Sequence, residues 1–177
     1  MRIAASLAAI VLIGALAAPE VARYAAERRV GWATTAFRAF LEAPKDPETQ
    51  RRLPGLGAEA LSTTESLPGD SRPWMIAAST FLLTGQPAQA LELYREAFST
   101  GERAEIDLNL GRAYAALARR DSAEAAFLRA GWVSPEILSA LPEAERARLS
   151  AEITRRSEEL ARGRLLSAPP LPEEERR

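Results

Sequence analysis

The sequence predicts an all-α protein, built of antiparallel helix pairs behind an apolar N-terminal helix. Three observations carry this. Alanine, leucine, glutamate and arginine dominate the chain, and all are strong helix formers. β-branched and aromatic residues are scarce, and no stretch keeps the apolar/polar alternation of a half-buried strand. Apolar residues recur three and four apart, as in "ATTAFRAFLEA", where Phe37, Phe40 and Leu41 are expected on one helical face. With 177 residues the chain can bury one real core beside a targeting segment and a tail.

The N-terminal element comes first. Arg2 precedes a run of 16 residues without a charge, Ile3 to Ala18, which ends at Pro19 and Glu20. A bilayer-spanning helix needs about 20 mostly apolar residues, so the run suits either a signal anchor or a signal peptide. Residues 1–21 are therefore expected to engage a membrane through positions 3–21. A short N-terminal tail stays inside, which places the rest of the chain outside the cytoplasm. Small residues at Ala15 and Ala17 allow the alternative, an exported soluble protein cleaved near Ala17. Because the following residues also read as helix, Pro19 is expected either to kink a continuing helix or to begin a new one.

Residues 22–70 follow as a helical segment and a degenerate half-repeat. Pro44 and Pro47 break the chain at "PKDP"; a helical piece near Glu48 to Ser66 is expected to be interrupted at "LPGLG" and stopped at "LPGD". "GLGAEA" has the glycines of a phosphate loop but no preceding strand, so it reads as a turn.

Residues 71–137 carry the clearest pattern. Leu110, Gly111 and Tyr114 are followed by Ala123, Phe127, Ala130 and Pro135, within two helices separated by "RRDS". One period earlier stand Trp74, Ala78, Phe81, Ala90, Tyr94 and Ala97. These residues resemble the tetratricopeptide (TPR) repeat signature of L-G-x-x-Y, A-x-x-x-F-x-x-A and a terminal Pro. The departures are Asp107 where the pattern prefers Trp in the later repeat, and in the earlier one Ala78 for Gly, Phe81 for Tyr, Tyr94 for Phe and Glu102 for Pro. Ala90 and Ala123 lie 33 residues apart, against about 34 in the family. The resemblance implies a short TPR-like α-solenoid in which small residues let paired helices approach and rings fill the gaps beside them. About three repeats are normally needed for stability, so flanking helices must complete the stack.

Residues 138–166 read as capping helices: a start at Ser134-Pro135-Glu136, then a charged helix with a thin apolar stripe of Leu149, Ile153 and Leu160. Residues 167–177, "SAPPLPEEERR", read as a disordered, solvated tail.

The chemical inventory is sparse. There is no cysteine and no histidine, which removes thiolate chemistry, zinc-thiolate sites and the usual general base. Charge is balanced, 23 basic against 24 acidic residues, with no basic cluster of the kind nucleic acid requires. No enzyme activity, metal or cofactor is expected, and no nucleic-acid partner. The resemblance instead implies binding of other proteins, membrane or envelope proteins above all, along a concave face formed by the first helix of each repeat. That face maps to Arg72, Met75, Ser79 and Leu82, then Glu105, Leu108, Asn109 and Arg112. Arginine and asparagine there would grip a backbone or carboxylate, and Met75, Leu82 and Leu108 apolar side chains. Two roles fit: an assembly factor or scaffold that grips peptides, or a permanent accessory subunit of a larger membrane complex.

Overall fold

The computed structural model describes residues 2–165 and 167–172, with side chains from Ala15 onward. Among them every regular element is a helix: α1 (Arg2–Glu42), α2 (Pro47–Leu61), α3 (Ser71–Leu83), α4 (Pro87–Ser99), α5 (Ala104–Ala116), α6 (Arg120–Val133) and α7 (Glu143–Ala161), with 3₁₀ turns at Thr64–Ser66 and Pro135–Ala140. The chain divides into two compact units, residues 1–77 and 78–177, and the boundary falls inside α3.

In the first unit α1 packs against α2 and the 3₁₀ turn after it. Ala26, Val30 and Ala33, three and four apart, meet Ala60, Leu67 and Ile76. Further along, Phe40 joins Leu53 and Leu56, with Ala36 and Phe37 against them; the Phe37 and Phe40 ring centroids are 6.4 Å apart. Leu41 does not share this face and is exposed. Asp46 starts α2 by accepting the Thr49 amide at 3.2 Å, with Pro47 in the first turn, where its missing N–H costs nothing.

One expected break is absent: α2 runs on through Pro54, so "LPGLG" is helix and not a turn. At Pro19, where the sequence leaves a continuing or a new helix open, α1 runs on. A proline deletes one hydrogen bond to the carbonyl four residues back. At Pro54 that loss is exposed, while Leu53, Leu56, Gly57 and Ala60 bury one continuous face. Burial of that face outweighs a single missing bond. No helix among the described residues is long and apolar enough to cross a membrane; most of the run from Ile3 falls outside the described side chains.

In the second unit α4 packs on α5, and α5 and α6 form a close hairpin. A Cβ on Gly111 would overlap the Phe127 ring, so glycine is what lets α6 seat that ring against α5. Ala90, Tyr94, Ala97, Leu110, Tyr114, Ala123 and Ala130 are buried, Ala78 too, and Trp74 and Phe81 half-buried. The exposed Pro135 does not pack as a repeat residue; it opens the 3₁₀ turn that follows α6.

The turns after α3 and after α5 are equivalent. After α3, the Gln86 amide donates to the Phe81 carbonyl at 2.8 Å across Gly85 (φ +78°). After α5, the Arg119 amide donates to Tyr114 at 2.9 Å across Ala118 (φ +59°). Each is a left-handed helix cap that satisfies a terminal carbonyl, and Ala118 adopts it without being glycine.

α7 covers the end of this unit. Leu149 is buried, Ile153 approaches Gly131 together with Leu138, and Leu160 is exposed. Its charges pair along the helix: Glu152 with Arg155 and Arg156, Glu159 with Arg155, Glu158 with Arg162. In the described part of the tail Pro169 and Pro172 are buried while Ser167 and Pro170 are exposed, and the Pro169 carbonyl accepts a hydrogen bond from Arg129 at 2.9 Å.

Candidate functional site

The residues expected on the concave face separate by environment. Arg72, at the start of α3, is committed within the first unit. Its Nε lies 2.9 and 3.1 Å from the two Asp70 oxygens, and its Nη2 reaches Asp70 at 2.6 Å and Glu27 of α1 at 2.8 Å. These two carboxylates hold the guanidinium charged still more firmly than usual. Arg72 therefore ties α3 to α1, with few donors left for a ligand. Met75 beside it is half-buried.

In the second unit a polar cluster forms around Arg112. Ser79 and the Tyr94 hydroxyl share a hydrogen bond of 2.9 Å, linking α3 to α4. Burial pushes the Tyr94 phenol up to about 12, while Ser79 and the nearby Arg112 charge pull the other way. Arg112 donates through Nη1 to Asn109 Oδ1 at 3.1 Å and through Nη2 to the Ala140 carbonyl at 3.2 Å. Ser79 and Tyr94 thus join α3 to α4, and Asn109 and Arg112 pair on α5, with the Arg112 charge felt at the Tyr94 phenol. Arg112 and Glu105 remain exposed, and Asn109 and Leu82 half-buried. Leu108 does not belong to the face: at 4% exposed it is core, on the side of α5 that also buries Ala104 and Gly111, opposite the stripe of Ile106, Leu110 and Ala113. The Tyr94 hydroxyl and the Ala140 carbonyl have no counterpart in the sequence reading. Tyr94 reads there as a packing ring, and a backbone carbonyl leaves no signature.

A second cluster brings together the two acidic departures from the repeat pattern, Glu102 and Asp107. Arg129 of α6 forks onto Glu102, through Nε to Oε1 and through Nη2 to Oε2 at 2.8 Å. Its Nη1 donates to Pro169. Asp107, in the first turn of α5, is 1% exposed, and neither carboxylate oxygen has a hydrogen-bond partner. Burial pushes its carboxyl up to about 7; repulsion from Glu102 adds to this, and Arg129 opposes it. Glu102, held by Arg129, lies below its usual range. The sequence marks both acids as exceptions 5 residues apart, yet offers nothing that joins them to Arg129 or Pro169.

The chain matches no protein-family model, no curated protein and no solved structure.

Proposed function

We propose that this chain is a tetratricopeptide-type protein-interaction module, a scaffold or assembly factor that works by holding peptide segments of other proteins and not by catalysis. The observation that carries this is a repeated left-handed cap, after α3 at Gly85 and after α5 at Ala118, 33 residues apart, together with the α5–α6 hairpin, which seats Phe127 on Gly111 where the repeat pattern calls for that close approach. Ser79, Asn109 and Arg112 supply the polar lining, and Arg112 presents an exposed guanidinium suited to a peptide carbonyl or carboxylate. The N-terminal run from Ile3 to Ala18 supports placement at a membrane, with the helical units outside the cytoplasm.

The permanent-subunit reading draws on a different observation. Leu16, Val21, Tyr24, Trp32 and Leu41 are exposed large apolar side chains along α1, apolar surface that a permanent partner would cover.

Pull-down from membranes with wild type and with Arg112→Glu tests the peptide-holding role. A partner lost with Arg112→Glu supports it, and an unchanged partner set refutes the groove. Gentle detergent extraction followed by sizing separates the two roles: co-migration with a large complex marks a subunit, and a lone chain marks a transient binder.

A further inference from the structure

The structure assigns a docking site for proline-rich peptides to the Arg129–Glu102 face of the second unit, occupied in this chain by its own segment Ser167–Pro172. The inference deepens the peptide-holding reading and rests on it, but it uses a surface other than the Arg112 cluster.

The segment reads Ser-Ala-Pro-Pro-Leu-Pro. From Ala168 to Pro172 every residue is a proline or precedes one. Proline fixes φ near −65°, and a residue before proline is driven to extended backbone, so the polyproline II conformation is set locally. That helix has three residues per turn and no internal hydrogen bonds. Pro169 and Pro172 therefore share one edge, and both are buried, while Pro170, on another edge, is exposed. The unpaired carbonyl of Pro169 accepts the Arg129 hydrogen bond at 2.9 Å. Proline-rich ligands are generally recognised in this preformed extended conformation; here the recognising features are the two buried prolines and the Arg129 donor to a backbone carbonyl.

The receptor side is preorganised. Arg129 is mostly buried, and Glu102 holds two of its donor nitrogens, which leaves Nη1 aimed at the Pro169 carbonyl. Glu102 stands where a repeat of this pattern would place proline, so the acid that departs from the pattern is the one that positions the peptide-binding arginine. A segment of another protein carrying the same P-x-x-P spacing meets the same donor and the same apolar edge. The tethered tail competes with it, which makes the tail an autoinhibitory contact.

The test uses the full chain, unaltered or carrying Pro169→Ala with Pro172→Ala, and a fluorescent peptide of residues 165–172. With the tail undocked, affinity for the peptide rises about tenfold or more, because a site filled in cis nine times in ten loses that factor. Adding Arg129→Ala abolishes this binding, a peptide with alanine at both buried proline positions does not bind, and Arg112→Glu changes nothing. Equal binding to both chains, or no binding to either while circular dichroism shows both folded, overturns the proposal. Should the double variant not fold, hydrogen exchange at the Leu171 amide of the unaltered chain replaces it: acceleration on adding excess peptide supports displacement, and no change refutes it. Loss of partner capture with Arg112→Glu but no peptide effect removes the strap alone; the reverse pattern removes the groove alone.

Discussion

Replacing Asp107 by asparagine isolates the electrostatic cost of one buried acid. The carboxyl lies 1% exposed with neither oxygen hydrogen-bonded, and it titrates at about 7 in the folded chain against an ordinary value of 3.8. Between those values the folded state keeps a proton that the unfolded state has released. Stability is thus fully present below about pH 4, falls as pH rises, and levels off once the folded carboxyl has ionised above about pH 7. The whole loss is on the order of 4 kcal/mol, and about 2.5 kcal/mol of it falls between pH 5 and 8. Asparagine has nearly the same shape and no charge. Urea unfolding at both pH values, followed by circular dichroism, gives the difference between variant and wild type. That difference is expected to shift by about 2.5 kcal/mol in favour of Asp107→Asn on going from pH 5 to pH 8. Any fixed cost of an unsatisfied buried amide, about 1–3 kcal/mol, cancels in this comparison. A shift near zero, or one of opposite sign, refutes the reasoning: it would mean that Asp107 is ionised when folded and drawn to Arg129 strongly enough to offset burial.

Three further outcomes follow from local geometry. Ala118→Gly is expected to raise stability by roughly 0.5–1 kcal/mol in thermal melts, since relief of the left-handed alanine, about 1–2 kcal/mol, outweighs the added freedom of the unfolded chain. Gly111→Ala forces a methyl into the Phe127 ring and should cost about 1–3 kcal/mol; unaltered stability would show that α5 and α6 are less closely packed. Tyr94→Phe removes the hydroxyl shared with Ser79 at 2.9 Å and should cost about 1 kcal/mol in chemical unfolding, while Ser79→Ala together with Tyr94→Phe costs little more than either alone.

Much of the fold was legible in the residues because helices announce themselves locally. The shared face of Phe37 and Phe40, the start at Ser134-Pro135-Glu136, and the small residues at Ala78, Ala90 and Ala123 act over a few positions, and local pattern reports them. The failures share a cause. Pro54 reads as a break, yet the helix passes through it, because burial of Leu53 and Leu56 on one face decides the matter and proline's lost bond does not. Leu108 reads as groove and is core; Leu41 reads as core and is exposed. Each of those errors concerns what a helix faces, which no single helix records.

The all-helical architecture was determined by the sequence alone: its composition disfavours strands, and its apolar spacing is that of helices. Only the tertiary structure decided what the two irregular acids of the repeats do. Glu102 and Asp107 are neighbours in the chain with no visible function, while Arg129 and Pro169 are 40 residues apart. Their meeting depends on α6 folding back on α5 and on the tail returning along that hairpin. A buried charge or backbone carbonyl takes its chemistry from whatever lies within a few ångströms, and that set of neighbours exists only once the chain has folded.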